Sequence, residues 1–372
     1  MQFTIKKESI LHVLQRIQGL TGRTTNLAIT RNVLIKAAND SITLTATDLD
    51  TGFEGTYPAV VTAEGVIAIH SRKLYEIVRD FPSDEIHMSE LENRWLEIGN
   101  DNVQYNIVCA NPDDFPETSF TEDISYFEME SAALKKMIER NLMIASDPGD
   151  TRAHMNSSFF EKIFEDQVNR IRLVSTDGSR LSLAECIVDK ENQMPPESGV
   201  LIPKKELNEV VKFLDQDSTV RIGIEQNRLV IKKDTETIIV RLVEGEFPAY
   251  GAIFNFETKN VFKADREKLL MMLKRMSILS SQDYKGALFK FEKNRLKVTT
   301  TNPEIGESKE EMDIEFDGEP IEISFNPKYF IETLNAIEDN KISARIIDHE
   351  KPCLVEGEKD RTFLSAIMPM RI

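Results

Sequence analysis

Cysteine is scarce in this chain. Its three copies, Cys109, Cys186 and Cys353, are odd in number and far apart. That spacing excludes a disulfide framework and a clustered zinc site, and predicts buried, unreactive thiols. Histidine is nearly as rare, and His12, His70, His87, His154 and His349 form no recognisable ligand set. No apolar run approaches the roughly 18 residues of a membrane span. The opening Met1–Glu8 carries charges where a secretory signal needs its apolar segment, so a cytoplasmic protein is expected. Enzyme motifs are missing too: no Gly-x-x-x-x-Gly-Lys loop, no Gly-x-Ser-x-Gly elbow, no His-Glu-x-x-His helix. Positive charge is in deficit, 46 Lys and Arg against 63 Asp and Glu, for a formal net charge of −17. That total favours solubility and argues against a chain that coats itself with nucleic acid.

What is present is repetition. A chain of 372 residues, 41% hydrophobic and 29% charged, is an ordinary globular sequence too long for one core. Leu173–Leu181 reads as a short strand ending in a Thr-Asp-Gly turn, where Asp bonds its own backbone and Gly tolerates positive φ. The same signal stands at Leu44–Asp48 and at Val298–Asn302, placing Thr47, Thr176 and Thr301 at intervals of 129 and 125 residues. One unit has been used three times.

Each repeat opens with Phe and an amphipathic helix. The stripes are Ile10, Leu11, Leu14 and Ile17; Leu134, Met137, Ile138 and Leu142; and Leu269, Leu270, Leu273 and Met276. Ser9, Ser131 and Asp265 stand where N-caps belong. A second helix follows a strand end at Ile69–Leu74, Ile202–Leu207 and Phe325–Phe330. Alternating hairpins come next, clearest at Trp95–Ile98 and Val103–Ile107 around the turn 99–102. The repeats close on Phe115-Pro116, Phe247-Pro248 and Met368-Pro369. Three α+β domains are predicted, 1–123, 124–257 and 258–372, each with sheets packed on two helices.

The helices carry an unusual charge. The windows 6–20, 71–80, 131–141, 204–215, 265–276 and 327–338 hold 17 Lys and Arg and 11 Asp and Glu, a net of +6 in an acidic chain. A basic face set against a polyanion would meet phosphates by counterion release without reading sequence. The plainer alternative is a set of solvated helix faces of mixed charge.

With its triplication, its basic helices, Thr176-Asp177-Gly178-x-Arg180-Leu181, Phe247-Pro248, Asn302-Pro303-Glu304 and the terminal Met368-Pro369-Met370-Arg371-Ile372, the chain resembles the bacterial DNA polymerase III beta subunits, the sliding clamps, along its whole length. The resemblance implies a DNA clamp fold: a ring formed by a head-to-tail homodimer, sheets outside and helices lining the hole. Such a ring encircles duplex DNA and tethers the replicative polymerase, conferring processivity by topology without chemistry, cofactor or metal. It implies that Arg23, Arg152, Lys204 and Lys205 face DNA, and charge alone adds Lys135, Lys136 and Arg140. It further implies a groove for short linear peptides of the polymerase III alpha subunit, the clamp loader, other polymerases and repair proteins. The matching residues are Met155, Thr176, Gly178, Arg180, Leu181, Pro248, Ile253, Asn326, Tyr329, Ala366, Ile367, Met368, Pro369 and Met370. Apolar walls with flexible methionines suit several partners. At the dimer interface Tyr105 and Ile107 would meet Ile278 and Leu279, and Lys73 would pair with Glu304 or Glu310.

The chain also departs from the family pattern. Ser179 stands where a histidine is familiar, Ala252 where some relatives have arginine, and Ala153 and His154 replace aromatic residues. Two rival readings, an enzyme with a hidden carboxylate pair and a peptide-binding scaffold that ignores DNA, predict respectively turnover and indifference to loss of the helix cations.

Overall fold

The computed structural model describes residues 1–372 except 101, 118–123, 148, 166, 189–198, 255, 257, 281–284 and 371–372. Asp101 of the expected hairpin turn, the terminal Arg371 and Ile372, and the ends of the first two expected domains therefore lie outside the described residues.

Six α-helices appear among the described residues: α1 (Lys7–Thr21), α2 (Ser71–Asp80), α3 (Ser131–Leu142), α4 (Lys204–Phe213), α5 (Arg266–Met276) and α6 (Pro327–Ala336). Each starts within a residue of its expected window, because the buried stripe at spacings of three and four sets its position. Asp265 caps α5 as expected, its carboxylate accepting from the Lys268 amide at 2.9 Å. The other two cap expectations are corrected. Ser9 lies inside the first turn of α1, and Ser131 is the first residue of α3, its hydroxyl accepting from the Asp215 amide at 3.0 Å. The physical reason is that a strand runs straight into each helix. Opening amides are then taken by carbonyls across the gap, Lys7 to Asp84 at 2.7 Å, Ser131 to Ser218 at 2.9 Å and Lys204 to Asn156 at 2.9 Å. α5 makes the same backbone bond, Arg266 to Asn340 at 2.9 Å, and carries its Asp265 cap in addition.

Contacts divide the chain into two compact units that do not follow the three repeats. The first unit comprises Met1–Ala132 and Glu206–Leu242 among the described residues, and holds two sheets. Its eight-stranded sheet runs, in spatial order, Tyr126–Glu130, Thr219–Glu225, Arg228–Lys233, Glu236–Arg241, Thr51–Pro58, Ser41–Thr47, Asn32–Ala38 and Gly65–His70. Its five-stranded sheet ends on Gln104–Val108. The second unit holds a nine-stranded sheet, in which Ser157–Glu165, Val168–Thr176 and Arg180–Val188 continue into Phe363–Ile367 and Cys353–Gly357. It also holds a four-stranded sheet edged by Gly306–Asp313. The reason for the two-way division is continuous hydrogen bonding. Glu236–Arg241 pairs with Thr51–Pro58, and Phe363–Ile367 pairs with Arg180–Val188, so each long sheet fuses strands of consecutive repeats.

The triplicated turn repeats in atomic detail. In the first repeat the Thr47 hydroxyl donates to the Thr51 carbonyl at 2.8 Å, and the amides of Asp50 and Thr51 reach Asp48 Oδ1 at 3.1 and 2.7 Å. In the second, the Thr176 hydroxyl donates to the Arg180 carbonyl at 2.8 Å, and the amides of Ser179 and Arg180 reach Asp177 Oδ1 at 3.0 Å each. In the third, Asn302 Oδ1 takes the Glu304 amide at 3.0 Å. The polar strand end therefore makes its own reversal.

The cysteines come out mixed. Cys109 and Cys353 are buried, and burial pushes the Cys109 thiol up to about 11. Cys186 is partly exposed, which corrects the expectation for that residue. Among the described residues no helix is long and apolar enough to cross a membrane, and no cluster of three or more His, Cys, Asp or Glu is arranged to hold a metal.

Candidate functional sites

The second-repeat turn leads directly to the residues expected to form a peptide groove. Along Arg180–Val188 the side chains alternate, so the residues assigned to the groove divide between two sheet faces. Leu181 and Ala366, paired across the strands, join Val174, Leu183, Tyr250 and Leu354 in one apolar cluster, with Ile253, Phe247, Phe254 and Leu364 packed on it. On the other face the Arg180 guanidinium stacks on the Tyr329 ring at 4.4 Å. It also donates to Asp177 at 3.0 Å, to the Met143 carbonyl at 3.2 Å and to Glu332. Met368 leaves the sheet with its amide bonded to the Ser179 carbonyl at 2.9 Å, and the Met370 amide follows, bonded to the Ser324 carbonyl at 2.8 Å. Asn326, beside them, caps α6 through the Lys328 amide at 3.0 Å.

Individual positions refine the expected set. Gly178 is exposed at φ +82°, and a Cβ there would stand 3.1 Å from the methyl of the buried Met155. Met368 is exposed, Pro248 is exposed, and Thr176, Ile253, Tyr329, Pro369 and Met370 are half-buried. Ile367 is wholly buried and Arg180 nearly so. Ile367 packs in the core and Arg180 is held by internal acceptors. Sequence reasoning missed the aromatic chain behind the groove. Phe159 stacks on Phe247 at 5.1 Å, which meets Tyr250 edge-on at 6.0 Å and His154 at 6.2 Å. Phe159 is half-buried beside the buried Phe160 on Ser157–Glu165, and nothing in the chain order announces its partners.

Seven cations were expected to face DNA, and the structure separates them. Lys204 is buried, its ammonium donating to the Met155 carbonyl at 2.7 Å and the Thr176 carbonyl at 3.3 Å. Burial pushes it down to about 8, with Asp177 pulling it back and Arg180 adding to the fall. Lys204 thus ties together the two loops that carry Met155 and Thr176. Arg140 is also buried, donating to Asp360 at 2.5 Å and Thr362 at 2.9 Å beneath the Phe363 ring. Arg23 binds Asp48, Glu206 at 2.6 Å and Glu209 at 3.2 Å. Arg140 and Lys204 are therefore corrected as exposed cations, being buried and bonded within the chain, while Arg23 is half-buried among its three carboxylates. Lys205 is exposed and Lys135 half-buried, while Lys136 reaches Glu338 at 2.7 Å and the exposed Arg152 reaches Asp150 at 2.6 Å.

Three family models match in succession: DNA polymerase III beta subunit N-terminal domain over residues 1–119, central domain over 128–249 and C-terminal domain over 252–371. The chain belongs to the DNA polymerase III beta subunit family. It is 27% identical to the beta sliding clamp of Vibrio cholerae and 28% identical to that of Haemophilus influenzae, with all of each chain covered. The DNA polymerase III subunit beta of Pseudomonas aeruginosa superposes with a TM-score of 0.92 at 27% identity, again over the whole of both chains. A Bacillus subtilis sliding clamp at 23% identity shares the fold, with a TM-score of 0.91 over 100% of this chain and 99% of that one.

Of the remaining assigned residues of this beta-subunit chain, Tyr105, Ile107 and Glu310 lie on edge strands and Lys73 on α2. Tyr105 (40% exposed) and Ile107 are on Gln104–Val108, an edge of the five-stranded sheet. Ile278 is 75% exposed and Leu279 half-buried, in the short helix Ser277–Leu279, while Glu310 lies on the edge strand Gly306–Asp313. Glu304 is exposed in the turn before it. Within the chain Lys73 pairs with Glu76 at 2.9 Å and Glu310 with Arg275, whose Nε lies at 2.8 Å. Val108, on the same edge strand as Tyr105, and Ile305, in the turn with Glu304, are each about 60% exposed.

Proposed function

We propose that this chain is a DNA sliding clamp that closes with a second copy into a head-to-tail ring around duplex DNA, tethering the replicative polymerase without chemistry of its own. The succession of three beta-subunit domain models over the whole chain carries the reading. Ring closure would join the edge strand of the first repeat to that of the third. Exposed apolar Tyr105, Val108, Ile278 and Ile305 support this, since unpaired edges with apolar neighbours invite strand addition. The proposed repeat domains are 1–123, 124–257 and 258–372, and the proposed compartment is the cytoplasm.

DNA contact falls to Lys135, Lys136, Arg152 and Lys205, with Arg23, Arg140 and Lys204 supporting them from within. Contacts with successive phosphates are equivalent, so a modest positive lining permits sliding. The groove built on Gly178, Leu181, Ile253, Tyr329 and Met368 would take short linear peptides of the polymerase alpha subunit, the clamp loader and repair proteins. An aliphatic or aromatic anchor would enter the apolar cluster.

Two measurements test the proposal. Light scattering across a dilution series should give about 85 kDa, twice the chain mass of 42.5 kDa. Protein placed on a nicked circle by a clamp loader should stay until the circle is linearised. Equal retention on circular and linear DNA would overturn the topological mechanism.

A further inference from the structure

The apolar cluster of the second-repeat groove ends against a row of charge on the same sheet face. Phe159, Val174 and Leu183 lie side by side across three strands, and two residues along each strand stand Glu161, Arg172 and Glu185. Arg172 donates to Glu185 at 3.0 and 3.2 Å and to Glu165 at 3.4 Å, and Arg170 donates to Glu185 at 2.9 Å. The row also reaches out of the sheet. Glu161 accepts from the Tyr250 hydroxyl, which in turn accepts from Arg172 at 3.4 Å. Burial pushes the Glu161 carboxyl above its ordinary value, and Tyr250 and Arg172 draw it back.

Tyr250 belongs to the segment 243–254, which carries Phe247, Pro248 and Ile253. Its regular structure is a single bridge from Val243 to Leu201 and the short helix Gly251–Ile253. Among the described residues 243–254, Tyr250 alone is buried. A segment with so little buried surface opens at low free-energy cost. The Tyr250 ring meets Phe247 edge-on at 6.0 Å and Phe254 at 6.1 Å, and its carbonyl accepts from the Ile253 amide at 2.9 Å. Where Tyr250 sits therefore sets where both flanks sit. We infer that Tyr250 is a positioning residue of the peptide groove: its hydroxyl, held by Glu161 and Arg172, docks segment 243–254 on the sheet and so places Pro248 and Ile253 beside the apolar cluster. Only the docked segment completes the groove, so apparent affinity for a peptide scales with the docked fraction. A hydrogen bond to a carboxylate moves that fraction more than one between neutral groups. The inference rests on reading the second-repeat groove as a peptide site.

The test uses the full chain with labelled leucine and isoleucine methyls and the acetylated pentapeptide Ala-Leu-Phe-Leu-Ala. In the wild type the peptide should shift the methyl signals of Leu181 and Ile253. Tyr250→Phe, which removes one oxygen and keeps the ring, should weaken binding about threefold to tenfold in a chain that urea unfolding shows to be folded. Glu161→Leu should do the same, and the double variant should lose no more than the weaker-binding single one. Glu161→Gln, which keeps an acceptor oxygen, should bind within about twofold of the wild type. Tyr250→Phe and Glu161→Gln decide the matter even where Glu161→Leu does not fold. Unchanged affinity in Tyr250→Phe, independent losses in the double variant, or a loss in Glu161→Gln as large as that in Tyr250→Phe would each overturn the inference. Wild-type signals of Leu181 and Ile253 that do not move would overturn the groove reading itself, and the inference with it.

Discussion

Leu49 and Gly178 hold the same place in two copies of one turn, both at φ +82°. A leucine there carries roughly 1–2 kcal/mol of left-handed strain. Glycine would remove it while adding about 0.5–1 kcal/mol of entropy to the unfolded chain. The strain is the larger, so Leu49→Gly should stabilise the protein by up to about 1 kcal/mol, seen as a higher urea midpoint at unchanged slope. Gly178→Ala should cost up to about 1.5 kcal/mol by the same argument in reverse, with Met155 pressed as well. Lys204 gives a pH signature. Its folded value near 8 lies below the usual lysine value of about 10.4, so between the two the unfolded chain binds more protons. Stability attributable to Lys204 should therefore rise by about 2–3 kcal/mol from pH 8 to pH 10.4. Comparing the wild type with Lys204→Met over that range isolates the effect, and parallel pH curves would refute it.

At the scale of elements, charge joins the helices of neighbouring repeats to strand ends. Arg23, just beyond α1, is shared by Asp48 of the first repeat and by Glu206 and Glu209 on α4, all three carboxylates at most 8% exposed. The Thr51 hydroxyl adds a bond to Glu206. Removing the cation leaves buried negative charge behind, so Arg23→Ala should cost about 3–5 kcal/mol, read as a loss of unfolding free energy. Gly19 belongs to the same arrangement, since an added methyl would sit on the Glu209 carboxylate. In the other unit burial alone would raise Asp360, but the Thr362 hydroxyl and the Arg140 guanidinium hold it well below the ordinary carboxylate range. The stability this confers is present above the unfolded value near 4 and is lost as pH falls further. Arg140→Gln should flatten that acid limb in a titration of unfolding free energy.

For the whole molecule, a formal charge of −17 coexists with helices that are net positive in sequence. Much of that positive charge is neutralised locally: Arg16 binds Glu236, Lys212 binds Glu209 and Arg275 binds Glu310. A clamp that slides needs only weak attraction to phosphates, and the exposed remainder is consistent with that. Ring closure, by contrast, asks for burial of apolar edges. Ile278→Asp replaces a side chain whose burial is worth about 1.5–3 kcal/mol with a charge, so it should raise the dissociation constant of the dimer at least tenfold. Light scattering on dilution would show monomer at concentrations where the wild type remains dimeric.

The sequence determined the repeats, the six helices and the position of each reversal, because these depend on local spacing. Apolar residues at three and four place a helix, and Thr-Asp at a strand end supplies its own acceptors. The two sheet faces of the groove could be reached only by knowing which strand lies beside Arg180–Val188, and its neighbour Phe363–Ile367 is nearly two hundred residues away in the chain. The same holds for charge. Nothing adjacent to Arg23, Arg140 or Lys204 announces Glu206, Asp360 or the Thr176 carbonyl, so all three looked like surface cations until the tertiary fold supplied partners. Local physics chose the elements. The choice between an exposed cation and a buried one was made by distant segments, whose approach is set by sheet pairing across the repeats.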